Sequence, residues 1–172
     1  LKQIYGQTEV AGYSTIHRDG DINFDSVGIP VPAAEISIFQ PDPEGVGEII
    51  SRGPGLFRGY LKDEESTRST IIDGWMHTGD AGYFTEDGHL VIIDRVKDLM
   101  HLKSGAKFSP MFIENKLKFC PYIVETVVLG IPDSLLGHKL FALVSTKNGD
   151  CDEKEILSHC ASRLPKYKMP SE

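Results

Sequence analysis

The run from Gly74 to Asp98, GWMHTGDAGYFTEDGHLVIIDRVKD, limits the fold of this chain more than any other stretch. Two strand-like segments, Ala81 to Phe84 and His89 to Ile93, flank Thr85-Glu86-Asp87-Gly88. An Asp-Gly pair between such segments is the turn signal of a β-hairpin. Polar groups stand at both ends of this hairpin. Before it, Asp80 follows the small Thr78-Gly79 step, where a carboxylate can accept two hydrogen bonds at once, for example from neighbouring hydroxyls. After it, the apolar run Leu90 to Ile93 gives way to Asp94-Arg95-Val96-Lys97-Asp98. A charged joint where a buried strand surfaces suits a hinge, a site or an ordinary solvated loop.

Upstream, Ile4 and Tyr5 read as a strand end that Gly6 breaks before the polar tip Gln7-Thr8-Glu9. A hydroxyl beside a carboxylate on a turn can hold a phosphate oxygen and its divalent metal, or be a polar turn and nothing more. Asp19, Asp21, Asn23 and Asp25 alternate as in a calcium loop. The places that such a loop gives to Gly and Glu hold Phe24 and Pro30, so the segment reads as an acidic surface loop. From Gly28 to Tyr60 short strands alternate with Pro and Gly clusters, which predicts a small distorted β-barrel or sandwich. Asp63 is placed to cap a helix running to about Ile72, with Glu64 and Glu65 in its first turn.

Past Asp98 the character changes. Leu99 to Lys103 alternates, Ser104-Gly105 turns, and Ser109 with Pro110 opens a helix whose Ile113, Leu117 and Cys120 share a face. Two apolar strands, Ile123 to Ile131 and Leu140 to Thr146, are separated by Pro132 and a polar turn. Asp152 and Glu155 resemble a capping box for a last helix, with Ile156, Leu157, Cys160, Ala161 and Leu164 as its buried face. This is a β-α-β-β-α unit. The whole reads as α+β, with the boundary near Asp94 to Lys97: residues 1–94 form one domain and 95–172 a second, small and incomplete one.

A net charge of −7 and a pI near 5.4 argue against binding nucleic acid or anionic membranes through bulk charge. Cys120, Cys151 and Cys160 are odd in number and lack metal spacing, which suggests reduced thiols and a cytoplasmic setting. No apolar run approaches the roughly 18 residues of a membrane helix. The chain begins at Leu1 and not at Met, so it is expected to be a piece of a larger protein.

Several motifs, in order, resemble those of the acyl-adenylate-forming enzymes, which include acyl-CoA synthetases, aryl-CoA ligases, luciferases and peptide-synthetase adenylation domains. Tyr5-Gly6-Gln7-Thr8-Glu9 resembles the family's Tyr-Gly-x-Thr-Glu segment, and Gly53 to Tyr60 its "RGP…GY" strand. Gly74-Trp75-Met76-His77-Thr78-Gly79-Asp80 resembles Gly-Trp-x-x-Thr-Gly-Asp, and Asp94 to Asp98 the joint between the large and small domains. The run Ser104 to Pro110, with Ile113-Glu114 and Pro121-Tyr122-Ile123, is most similar to the long-chain fatty acyl-CoA synthetases. Aryl or medium-chain ligases and peptide-synthetase domains are the alternatives, and a short non-catalytic binding protein is the alternative of another class.

The resemblance implies an ATP-dependent acid–thiol ligase. A fatty acid and Mg-ATP give acyl-AMP and pyrophosphate, and CoA then displaces AMP. By matching position, Tyr5 would stack on adenine, Gly6 would line the nucleotide, Thr8 would contact the α-phosphate and Glu9 would hold Mg2+. Asp80 and Arg95 would bind the ribose hydroxyls, Lys97 would be the hinge, and Gly105 would line the pantetheine passage. His101 stands where several relatives carry a lysine tied to the second half-reaction. The family's phosphate loop, expected upstream of Tyr5, and its catalytic lysine, expected downstream of Tyr167-Lys168-Met169-Pro170, do not occur in these residues. The resemblance implies small-molecule partners, a fatty acid, ATP and CoA, and leaves peripheral membrane association of the whole protein open. The isolated piece is expected to have no synthetase activity and to self-associate through apolar surface bared by the cut.

Overall fold

The computed structural model describes residues 1–101, 107–135, 137–147, 153–162, 164 and 169, with His101 and Lys107 described by their backbone alone. The chain divides into two compact units, Leu1–Lys97 and Asp98–Glu172.

The first unit is built from antiparallel sheets. In one, β1 (Ile4–Tyr5), β2 (Thr15–Ile16) and β3 (Ile29–Pro30) pair in that order. The other holds β4 (Glu35–Phe39), β5 (Gly47–Arg52), β6 (Ile71–Ile72), β7 (Trp75–Phe84) and β8 (Leu90–Arg95). Its centre is β7. One edge of β7 pairs with β5, while β6 takes Trp75 and Met76 on the other edge and β8 takes Asp80 to Phe84. The sheets stay open, and among the described residues neither closes into a barrel. Ile49, Ile50, Met76, Ala81 and Leu90 form the apolar core.

Helix α1 spans Glu64–Thr70, with Asp63 Oδ1 accepting the Ser66 amide at 2.9 Å. That bond and the Ser66 hydroxyl hold the Asp63 carboxyl below its ordinary range. The helix stops short of the Ile72 expected from the sequence. Ile71 and Ile72 are β-branched and gain strand pairing with β7 instead. The predicted hairpin turn forms as read, with the Thr85 amide donating to His89 O at 2.9 Å.

A buried polar chain ties the start of β1 to the hairpin. The Gln3 amide donates to His17 Nδ1 at 3.1 Å, which leaves the His17 hydrogen on Nε2, 3.0 Å from Ser26 Oγ. Ser26 Oγ lies 2.8 Å from His89 Nδ1, and His89 Nε2 lies 3.0 Å from Asp21 Oδ1. His17, Ser26 and His89 are each about 1% exposed, so every polar atom needs a partner. Asp21 is thus committed to His89 and Asp19 to Lys2. No group of three or more metal-ligating side chains occurs among the described residues.

The second unit is mixed. Strands β9 (Met100–His101) and β10 (Lys107–Phe108) pair, α2 covers Pro110–Leu117, β11 (Ile123–Asp133) pairs with β12 (Gly137–Thr146), and α3 covers Glu153–Ala161. Ser109 caps α2 through its hydroxyl, 2.9 Å from the Phe112 amide. Phe108, Ile113, Leu117, Cys120, Val128, Leu140, Cys160 and Leu164 share one core. Three details differ from the sequence reading. Cys120 is buried beyond the end of α2, β11 continues through Pro132 to pair it with His138, and Ala161 is exposed. Pro132 is tolerated because it stands near the turn end of the hairpin. Gly105 and Asp152 lie outside the described residues. No helix among the described residues is long and apolar enough to cross a membrane. The α+β class expected from the sequence holds.

Candidate functional site

Strand β7 is not regular. Glu48 faces Ala81 and Ile50 faces His77, so Thr78, Gly79 and Asp80 together oppose Ile49 alone. This bulge turns Asp80 out of the ladder, as bulges do where a side chain is re-aimed. Gly79 adopts φ +71°, a left-handed conformation that a residue without Cβ takes at no steric cost. Thr78 closes the bulge from within. Its hydroxyl donates to Ile49 O at 2.6 Å and accepts the Asp80 amide at 3.0 Å.

On the other edge, the β7–β8 register sets Asp80 directly opposite Arg95. Arg95 Nη1 donates to Asp80 Oδ1 at 2.5 Å and to Thr78 O at 3.3 Å. The Arg95 side chain is half exposed, so the pair is open to solvent on one side. The second oxygen, Oδ2, accepts the Tyr5 hydroxyl at 2.7 Å and Gln7 Nε2 at 2.9 Å; the same Gln7 nitrogen reaches Thr78 O at 3.1 Å. Three donors from two segments, residues 5–7 and β8, therefore converge on one carboxylate whose side chain is 12% exposed.

Burial pushes the Tyr5 phenol well above its ordinary value of 10.0, and the neighbouring Asp80 carboxylate adds to the effect. Tyr5 is thus a donor across the whole neutral range. Because its folded value is raised, its contribution to stability is fully present below pH 10 and is lost as pH climbs toward the folded value. In Tyr5→Phe the unfolding free energy should be lower near neutrality, by about 1.5–3 kcal/mol for a bond to a charged acceptor. It should also fall less between about pH 9 and pH 11 than in the wild type. Denaturant titrations at the two pH values measure both; parallel losses would remove this account.

Gly6 and the turn after it set the other side. A Cβ on Gly6 would collide with the backbone of Gly12 and Tyr13, so only glycine fits there. Thr8 is exposed at the start of a single 3-10 turn, Thr8–Val10. Glu9 Oε1 accepts the Tyr60 hydroxyl at 2.8 Å, and Glu9 O accepts the Phe57 amide at 2.7 Å. That hydrogen bond to Glu9 raises the Tyr60 phenol. Lys97 lies in the 3-10 turn Val96–Asp98, at the end of the first unit.

The structure thus brings Tyr5, Asp80 and Arg95 together and sets Thr8 and Glu9 on the adjoining turn. His101 is seen only as backbone in β9. Gln7, Tyr60 and Glu48 were not singled out as site residues in the sequence. Their partners are not local, because each acts across 29 or more positions: Glu48 on His77, Tyr60 on Glu9 and Gln7 on Asp80.

Two family models match the chain: AMP-binding enzyme over residues 1–61, and AMP-binding enzyme C-terminal domain over residues 113–172. A 2-succinylbenzoate–CoA ligase of Bacillus cytotoxicus is 37% identical over 98% of this chain, and another from Bacillus cereus is equally similar. Among solved structures, o-succinylbenzoate CoA synthetase (MenE) of Bacillus subtilis, in complex with the acyl-adenylate intermediate OSB-AMP, matches with a TM-score of 0.85 and 29% identity over 99% of the chain. ATP-bound MatB of Rhodopseudomonas palustris matches with a TM-score of 0.80 and 32% identity. The chain spans 36% of the curated relative from Bacillus cytotoxicus and 36% of the MenE chain. These relatives do not support the long-chain expectation. The motifs that suggested it, Ser104 to Pro110, Ile113-Glu114 and Pro121-Tyr122-Ile123, all follow Asp98 in the sequence. The chain belongs to the AMP-binding enzyme family.

Proposed function

We propose that this chain supplies the sugar-facing wall of the nucleotide site in an adenylate-forming acid–CoA ligase, acting on an aryl or related carboxylic acid. The observation that carries this reading is the Asp80 carboxylate, buried, paired with Arg95 across β7 and β8, and tied to Tyr5 and Gln7. A carboxylate fixed beside a guanidinium offers acceptors and donors to two vicinal hydroxyls, the recognition chemistry of a ribose. The CoA-ligase relatives support the choice of reaction.

In the first step a carboxylate oxygen of the acid attacks the α-phosphorus of ATP, and the bond to the pyrophosphate oxygen breaks. In the second, the CoA thiol attacks the acyl carbon, AMP leaves and the thiol proton is lost. The residues on this chain do positioning. Asp80 and Arg95 would hold the sugar, the Tyr5 ring would lie by the base, and the Thr8 hydroxyl would contact the α-phosphate. Glu9 is a single, half-buried carboxylate with one oxygen accepting the Tyr60 hydroxyl and the other left to a metal, which fits a magnesium ion that takes most of its ligands from phosphates and water. Such an ion would supply charge neutralisation at the phosphates.

Lys97 would be the hinge about which the second domain turns between the steps. The test uses the full-length protein and a panel of aryl, short and long-chain acids. Pyrophosphate release and thioester formation are assayed separately, in wild type and Lys97→Pro. Aryl acids are expected to lead the panel. In Lys97→Pro, pyrophosphate release should persist while thioester formation drops at least tenfold, since proline fixes one backbone angle. No acid-dependent pyrophosphate release from the wild type would sink the ligase reading, and equal losses in both steps would sink the hinge.

A further inference from the structure

Glu48 is absent from the nucleotide reading, yet it holds the element on which that reading depends. It sits on β5, beside the bulge, with Phe39 opposite on β4 and Ala81 opposite on β7. Its Oε1 accepts the Gly79 amide at 3.0 Å and its Oε2 lies 2.8 Å from His77 Nδ1. Both side chains are largely removed from solvent, at 19% exposure for Glu48 and 13% for His77. The His77 ring is fixed in turn by the edge of Phe39, with centroids 5.0 Å apart. A carboxylate withdrawn from water needs such donors, and with both in place it has little freedom to turn.

The consequence runs through Gly79. The position of a Cβ on Gly79 lies 2.7 Å from Arg95 Nη2, so the guanidinium packs on the Gly79 backbone. Asp80 is the next residue, and its amide is held by Thr78. Anything that shifts Gly79 therefore moves both members of the Asp80–Arg95 pair. We propose that Glu48 is a positioning residue for this pair: by binding the Gly79 amide and the His77 ring together, it sets the bulge that presents Asp80 and Arg95 to the nucleotide. In its link to the nucleotide the proposal rests on the ligase reading; its geometric half, Glu48 setting Gly79, does not.

Two variants separate positioning from general support. Glu48→Ala removes both bonds. Glu48→Gln keeps a carbonyl oxygen for the Gly79 amide and gives His77 Nδ1 a donor in exchange for an acceptor, which the neutral ring accepts by changing tautomer. In the full-length protein, Glu48→Ala should raise the KM for ATP in pyrophosphate release at least tenfold with kcat changed less than threefold. Glu48→Gln should return KM to within threefold of wild type. On the 172-residue chain, hydrogen exchange of the Gly79 amide should be at least tenfold faster in Glu48→Ala and near wild type in Glu48→Gln, with the β4–β5 amides unchanged. An unchanged Gly79 rate, or a KM that Glu48→Ala does not move, overturns the proposal. So does a parallel loss of kcat, KM and β4–β5 protection that Gln fails to restore. A wild type that releases no pyrophosphate defeats the ligase reading alone, and the exchange rates then decide the geometric half by themselves.

Discussion

Replacing Asp80 with alanine in the full-length protein is expected to weaken AMP and ATP binding by about 30- to 150-fold, or about 2–3 kcal/mol. The loss has two sources. The ligand forfeits a charged acceptor for its hydroxyls, and the site forfeits its organiser, because Arg95, Tyr5 and Gln7 all aim at this one group. With the carboxylate gone, a half-exposed guanidinium is free to swing into water, and the buried phenol of Tyr5 keeps a hydrogen with no charged acceptor. Calorimetry with AMP and with ATP measures the change. An affinity within threefold of wild type would show that the sugar is read elsewhere. Asp80→Asn is the informative companion: it retains one acceptor oxygen but turns an NH2 toward groups that are themselves donors, and it should fall between alanine and wild type.

Gly79→Ala should affect both folding and binding. At φ +71° a Cβ is strained by about 1–2 kcal/mol. It would also meet Arg95 Nη2, and a flexible guanidinium yields before the backbone does. Arg95 then leaves Asp80. Nucleotide affinity is expected to drop at least tenfold, beyond any loss of stability. Gly74 provides a control in the same strand region. It has φ +78°, and a Cβ there meets nothing within 4 Å. Gly74→Ala should therefore lose a similar amount of stability in denaturant titrations and leave nucleotide affinity unchanged. Equal binding losses at both positions would mean that strain, and not the contact with Arg95, is responsible.

The local features of this chain were legible because local chemistry dictates them. Asp87-Gly88 marked the hairpin, Ser109-Pro110 marked the start of α2, and apolar runs marked β11 and β12. What depends on register was not legible. Nothing near Asp80 says that it will face Arg95, since an irregularity between Ala81 and Gly82, where the β7–β8 pairing passes over Ile93, shifts the count by one. The β-branched pair Ile71-Ile72 favours a strand locally, but the free edge of β7 is what ends α1 there. The candidate site was legible only as a family pattern. That pattern gave Tyr5, Thr8, Glu9, Asp80 and Arg95. The finer expectation of a long-chain acid is not supported by the relatives. The joint shows the same contrast: the charges from Asp94 to Asp98 are plain in the sequence, whereas the compact units separate after Lys97 because β8 carries Arg95 into the first of them.

The carboxylate of Asp80 has about four lone-pair directions, and three are already occupied by protein donors. A single hydroxyl can take the fourth without disturbing anything. A pair of vicinal hydroxyls cannot; it must dislodge one donor, and the Tyr5 hydroxyl or the Gln7 amide has to let go. If Tyr5 yields, its ring is released at the moment the sugar is seated, so that base and sugar are recognised as one event. Binding free energies measured for the separate halves of a nucleoside would then sum to less than that of the whole molecule.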